Sequence, residues 1–328
     1  MIFPDIRLRR MRYNPLLRDL VSETNLSVND LIYPVFVCEG ENIKNEIPSM
    51  PNQYQLSIDN LILKCKEVEK KGIKAILIFG ISKTKDTTGD IACKENSIVQ
   101  RALRALKKEK INLLLIADVC NCEYTNHGHC GTIVDGDVEN DLTLETLAKQ
   151  SISLAKAGAD IIAPSDMMDG RVKFIRSKLD KLGFYKTPIL AYSAKYASSF
   201  YSPFRDAADS CPKDFDRKTY QMNFSNSRES LREINQDILE GADMVMIKPA
   251  LSYLDIISKA KTNFNIPIVA YSVSGEYSMI KAASQMNWLN EKEIIMETVT
   301  SIKRAGADII ITYFALEIAD IINKRNEL

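Results

Sequence analysis

One phrase recurs along the chain: a helix-period stretch, a glycine, then an apolar run. Gly72 precedes AILIFGI (75–81), Gly158-Ala159-Asp160 precedes IIAPSD (161–166), Gly241-Ala242-Asp243 precedes MVMIKPA (244–250), and Gly306-Ala307-Asp308 precedes IIITYFA (309–315). Glycine readily takes the left-handed conformation just past a helix end. Four further runs, LIYPVFV (31–37), LLLIADV (113–119), PILAYSA (188–194) and PIVAYSV (267–273), complete a set of eight. Helix-period stretches such as 57–71, 94–110, 142–157, 227–240, 276–286 and 291–305 lie between them. The runs are nearly continuous rather than alternating, as parallel strands covered on both faces read. Eight such units predict an α/β fold, a (β/α)8 TIM barrel over residues 29–328. A doubly wound open sheet is the alternative, although no G-x-G-x-x-G follows a strand to support a dinucleotide site. Residues 1–28 precede the repeat and carry Arg7, Arg9, Arg10, Arg12 and Arg18. They read as an N-terminal extension arm, either solvated or packed on another subunit.

The 43 basic and 43 acidic residues cancel, which argues against nucleic acid or an anionic membrane as partner. No run approaches the ~20 apolar residues of a membrane span. The N-terminus, MIFPDIRLRRMRYN, lacks the apolar centre of a signal peptide. Seven cysteines, an odd number, do not suggest a disulfide framework. A cytoplasmic protein is expected, with its thiols reduced or metal-bound.

Barrel enzymes build their sites at the C-terminal ends of the strands. Residues finishing the apolar runs therefore form one list: Asp118 and Cys120 after the third, Ser165 and Asp166 at the fourth, Lys195 at the fifth, Lys248 at the sixth, Ser274 at the seventh, and Tyr313 within the eighth. Lysine seldom finishes a buried strand without a partner. A nucleophilic lysine must shed its proton, and burial and a neighbouring cation both favour that. Two amines at one mouth are expected to depress each other and to form a Schiff base with a ketone. The alternative is that one of them is a structural ion-pair partner.

Cys120 and Cys122 follow the third strand and Cys130 returns shortly after, with the only histidines, His127 and His129, in the same loop. Three thiolates suit zinc and leave one coordination position open, as catalysis requires. A histidine as fourth ligand would make the site structural. Cys38, Cys65, Cys93 and Cys211 read as unliganded. After Lys195 comes a long loop carrying Arg205, Arg217, Lys218 and Gln221. Loops of that length are often lids, and arginine grips carboxylates through paired N–H groups. A solvated loop with arbitrary charges is the plainer reading.

These residues sit in motifs that resemble the porphobilinogen synthase (5-aminolevulinate dehydratase) family, in order and over essentially the whole chain: RLRRMR (7–12), DVCNCEYT (118–125), HGHCG (127–131), APSDMMDGR (163–171), YSAKYAS (192–198), MIKPA (246–250) and YSVSGE (271–276). The resemblance implies a hydro-lyase of haem and tetrapyrrole biosynthesis that condenses two 5-aminolevulinate molecules into porphobilinogen. It implies a Schiff base on Lys248 with the first substrate, whose carboxylate meets Ser274 and Tyr313. Lys195 would serve the second substrate, as Schiff base or cationic partner, with Arg205, Arg217 and Gln221 on its carboxylate. It further implies Zn2+ on Cys120, Cys122 and Cys130, near Asp118 and Ser165. Members with aspartates in place of the cysteines use Mg2+; this chain keeps all three cysteines.

Glu233, on the helix before the sixth strand, aligns with an allosteric Mg2+ marker of some bacterial members. The alternatives are a surface glutamate or a capping box with Ser230. Phe215 departs from the family's glycine and leaves the lid's path and the reach of Arg217 open. The family forms octamers of arm-exchanging dimers, so a homo-octamer is expected. Two competing readings are a class I aldolase, which needs one lysine and no metal, and a zinc-stabilised binding module without catalysis.

Overall fold

The computed structural model describes residues 5–326. Residues 1–4 of the arm and 327–328 at the other end lie outside the described residues. Eight strands, β1 (Leu31–Cys38), β2 (Ala75–Ile81), β3 (Leu114–Val119), β4 (Ile161–Pro164), β5 (Leu190–Lys195), β6 (Met244–Lys248), β7 (Ile268–Ser272) and β8 (Ile309–Thr312), are all parallel. They pair in the order β4-β3-β2-β1-β8-β7-β6-β5. A bridge between Ile162 and Ile189 brings β4 to the start of β5, so the sheet curls round on itself. The (β/α)8 expectation holds and the open sheet falls.

A helix follows each strand: α1 (Ile58–Lys70), α2 (Ile98–Lys108), α3 (Asn140–Ala157), α4 (Arg171–Lys181), α5 (Arg228–Leu239), α6 (Leu254–Asn263), α7 (Glu291–Ala305) and α8 (Ala315–Asn326). An additional helix, Ser274–Gln285, comes between β7 and α7. The helices α4, α6 and α8 lie outside the stretches named from the helical period. Each begins within a few residues of its strand's end, so the two patterns merge in the sequence.

The recurring glycines do what the repeat requires: Gly72, Gly158, Gly241 and Gly306 have φ of 86°, 107°, 103° and 121°. The aspartate two residues later has a task as well. Asp160 accepts the N–H of Leu115 at 2.8 Å, Asp243 that of Ile189 at 2.8 Å, and Asp308 that of Ile268 at 2.9 Å. Each carboxylate thus stitches the incoming strand to its neighbour at the base of the barrel. Lys107 and Lys261 pair with Asp160 and Asp308. Above these clamps the strand walls are dry, and every residue of β1, β5 and β7 is buried.

Two strand ends differ from the sequence expectation. Tyr313 stands one residue past β8 rather than within it, because Phe314 N–H turns back onto Thr312 Oγ1 at 3.2 Å. Ser274 opens the additional helix instead of closing β7. Both remain on the C-terminal side of the barrel. None of the arm's helical residues is fully buried. Its apolar side chains stand open, Ile6, Tyr13, Leu16 and Leu20 at 77, 78, 78 and 81% exposure.

Asp243→Ala strands the N–H of Ile189, so the unfolding free energy in denaturant titration should fall by about 1–3 kcal/mol while the amine reactivity of Lys248 stays the same. An unchanged unfolding midpoint would contradict the clamp.

Candidate active site

β5 and β6 pair so that Lys195 and Lys248 stand directly opposite one another. Both side chains are buried. The Lys248 amine sits in an aromatic box, 4.4 Å from the ring centre of Tyr271 and 5.1, 5.1 and 5.2 Å from those of Tyr192, Phe204 and Tyr201. Lys195 leans the other way, donating to the carbonyl of Ser165. Ser165 Oγ in turn donates to Asp118 Oδ2 at 3.0 Å. The other carboxylate oxygen of Asp118 is buried without a partner.

The two amines have opposite electrostatics. Burial, then the neighbouring Lys195 charge, brings Lys248 down to about 7. Burial works against the charge on Lys195 too, but the sulfurs of Cys130, Cys120 and Cys122 outweigh it and hold that amine above its ordinary value. The expected mutual depression is therefore one-sided: Lys195 stays charged and Lys248 yields its proton. Asp118 is pushed up to about 6 by burial, against the pull of both lysines.

The sulfurs of Cys120, Cys122 and Cys130 all lie within 4.8 Å of one another and are buried, with Cys120 and Cys122 at 3.3 Å. Hydrogen bonds from the other two thiols draw Cys130 well below the ordinary thiol range. Zinc–sulfur bonds of ~2.3 Å fit such a cluster, so the residues present suit a thiophilic metal. Neither histidine adds a ligand. His129 Nε2 meets the carbonyl of Lys213 at 2.9 Å and its Nδ1 meets Tyr220 Oη at 3.1 Å. His127 Nε2 meets the Thr87 carbonyl at 3.1 Å, and its Nδ1 accepts the His129 N–H at 3.1 Å. All four ring nitrogens are committed elsewhere, which leaves three sulfurs and no histidine ligand. Among the described residues, Cys38, Cys65, Cys93 and Cys211 take no part in the cluster.

The loop after β5 lies over the mouth. Its short helix Ser202–Ala207 inserts Phe204 edge-on against Phe79, with centroids 4.9 Å apart. Phe204 N–H donates to Ser274 Oγ at 3.0 Å, and Tyr313 Oη pairs with Tyr271 Oη at 3.1 Å. Ser274 and Tyr313 thereby belong to the Lys248 side. Arg217 is buried, and its Nη2 donates to the carbonyls of Gly128 and Ser210, both at 2.7 Å. Its Nε, the Nε of Arg205 and both amide atoms of Gln221 are buried with no partner. Unpaired buried polar atoms are uncommon and costly, and this cluster has the donors that a carboxylate would satisfy. Lys218 is exposed and pairs with Asp216 at 2.8 Å, so it stands outside the set. Beneath the lid remains a narrow cavity of only about 20 Å3, lined by Asp118, Cys122, Ser165, Lys195, Arg217 and Lys248 among others.

Sequence reasoning missed Glu123, which lines the same cavity and is pushed up to about 8 by burial and the Asp118 charge. It also missed the aromatic box around Lys248. The density of aromatics in YSAKYAS and SFYSPF was the available signal. Glu233 is not brought to the lysines. It lies half-buried on α5 and lines a separate surface cavity with Asp169, Glu229 and Arg232. The capping-box reading of Ser230 falls: Ser227 is the N-cap of α5, and Ser230 Oγ donates back to the Ser227 carbonyl at 2.6 Å.

The family profile described as delta-aminolevulinic acid dehydratase matches residues 5–321. Delta-aminolevulinic acid dehydratase of Methanothermus sociabilis is 58% identical over 98% of this chain and 99% of its own. That of Synechocystis is 55% identical over 97% and 98%. A crystal structure of delta-aminolevulinic acid dehydratase (porphobilinogen synthase) from Toxoplasma gondii, in complex with the reaction product porphobilinogen, superposes with a TM-score of 0.95 at 46% identity. It covers 97% of this chain and 92% of its own.

Lys195→Met removes the cation beside Lys248, so the Lys248 pKa must rise. Its arylation by trinitrobenzenesulfonate, followed by peptide mass spectrometry, should then need a pH higher by about one unit or more. An identical profile in the two proteins would contradict the coupling.

Proposed function

The chain belongs to the delta-aminolevulinic acid dehydratase family, and we propose that it condenses two molecules of 5-aminolevulinate into porphobilinogen with loss of two waters, Lys248 serving as the nucleophile. The supporting observation is the unequal lysine pair: one amine near neutrality in an aromatic box, the other charged against the sulfur cluster. A neutral amine attacks a ketone; a charged one does not. Lys248 takes the ketone of the first substrate and expels water to give the Schiff base. The enamine carbon of one substrate attacks the ketone or imine carbon of the other, an amine closes the ring as the second water leaves, and elimination expels the Lys248 amine to free the product.

Lys195, as a cation, polarises the second substrate's ketone or pairs with it covalently after losing a proton. Asp118, held by Ser165, exchanges protons within the same cavity. Ser274 and Tyr313 receive the first carboxylate, and Arg205, Arg217 and Gln221 the second. We assign zinc to Cys120, Cys122 and Cys130, where it would supply Lewis acidity toward the second substrate's amine end. An aldolase leaves the sulfur cluster idle, and a binding module leaves the depressed lysine idle.

Glu233 is proposed to hold an allosteric Mg2+; magnesium stimulation of turnover that persists in Glu233→Gln would remove that assignment. Among the described residues no helix is long and apolar enough to cross a membrane, and we assign the protein to the cytoplasm. The bare apolar side chains of the arm favour packing against a neighbouring copy, and we assign the chain to a homo-octamer.

Incubation with 5-aminolevulinate and borohydride should leave a reduced adduct on Lys248. Lys248→Ala should lose product formation while keeping its circular dichroism. Chelator-treated enzyme should make little product and recover on adding zinc. No adduct on Lys248, or full turnover without metal, would overturn the corresponding assignment. For the assembly, light scattering of a chain lacking residues 1–28 should show species smaller than eight subunits; an intact octamer would contradict the packing role.

A further inference from the structure

We propose that His129, although it sits beside Cys130, is a positioning residue for Arg217, and that Phe215 reinforces it. This rests on the reading of Arg217 as a carboxylate ligand. The lid segment around Arg217 returns to one imidazole three times. Before Arg217, the Lys213 carbonyl accepts from His129 Nε2 at 2.9 Å, and the Phe215 ring lies flat on the imidazole with centroids 3.7 Å apart and planes 14° apart. After it, Tyr220 Oη meets His129 Nδ1 at 3.1 Å. A carbonyl only accepts, so Nε2 carries the proton and Nδ1 accepts from Tyr220. The imidazole therefore engages the lid through both nitrogens and one face, and its side chain is fully buried.

The neighbouring residues complete the seat. Gly128 offers its carbonyl to Arg217 Nη2. Gly128 has φ +70°, and a Cβ there would meet the Cys211 carbonyl oxygen at 2.3 Å, so only glycine lets the lid backbone come this close. His127 receives the N–H of Lys213 on its own carbonyl at 2.9 Å.

The guanidinium is thereby pinned at Nη2 while its Nε stays buried and unpaired. The pinned orientation exists before a carboxylate arrives, which reduces the ordering cost of binding. The loop that holds the lid is also the loop that ends in Cys130, so the lid's arginine and the sulfur cluster share one frame. Phe215 fits into the lid's path by stacking on His129, and Arg217 remains buried.

The test uses zinc-loaded enzyme with Phe215→Gly, His129→Ala and Arg217→Gln. Weakening the seat lowers the fraction of closed lid, and apparent substrate affinity falls with that fraction. KM for 5-aminolevulinate should rise about fivefold in Phe215→Gly and about tenfold in His129→Ala, with kcat changing less. Tryptic cleavage after Lys213 or Lys218 should accelerate in both. Bound zinc per chain and the rate of borohydride-trapped adduct on Lys248 should match the parent. Loss of zinc from His129→Ala would make His129 a metal ligand and overturn the proposal. So would unchanged KM and lid cleavage in both seat variants when Arg217→Gln raises KM. If Arg217→Gln itself leaves KM unchanged, the carboxylate reading fails and takes the proposal with it. Should His129→Ala not fold, Phe215→Gly alone decides.

Discussion

The parallel pairing of β5 with β6 sets two lysine amines side by side in a space that excludes water. Burial disfavours a charge on either amine, and a charge on one disfavours a charge on the other. The neighbours decide which one yields. Lys195 faces the sulfurs of Cys120, Cys122 and Cys130, which favour its charge. Lys248 faces rings, whose attraction for a cation is modest. The rest of the site follows from that asymmetry: an amine near neutrality on one side, a charged amine and a cluster of three sulfurs on the other.

The lid completes the arrangement at a cost in stability. Asp118, Arg205, Arg217 and Gln221 all hold buried polar atoms without partners, and each such atom typically costs ~1–3 kcal/mol. The eight-stranded wall and its aspartate clamps supply a frame stable enough to carry those atoms. The donors among them, on Arg205, Arg217 and Gln221, are of the kind a carboxylate satisfies, whereas Asp118 Oδ1 and Gln221 Oε1 call for a donor such as an amine.

Much of this was legible in the chain itself. Strands buried on both faces leave continuous apolar runs, so the eight strands and the lysines that end two of them stand out. The cysteine loop was equally plain. The one-sided charge of the lysine pair was not, because it depends on which amine the fold turns toward the sulfurs. Tyr313 was read as part of β8, since a strand's end is set by its register with neighbours and by the Thr312 side chain turning the backbone. Glu123 and the contacts of His129 were hidden for a similar reason: a residue beside a clustered cysteine gives no sign in sequence of whether it faces the cluster, the cavity or the lid. Phe215 read as a misfit until its partner ring was in view.

The two amines are expected to titrate far apart. Trace acetylation of the zinc-loaded enzyme from low to high pH, read lysine by lysine through peptide mass spectrometry, measures both in one sample. Lys248 should titrate at about 7, while Lys195 should show no depression below the ordinary lysine value of ~10.4. A Lys248 that titrates with the surface lysines, or two amines depressed together, would contradict that separation.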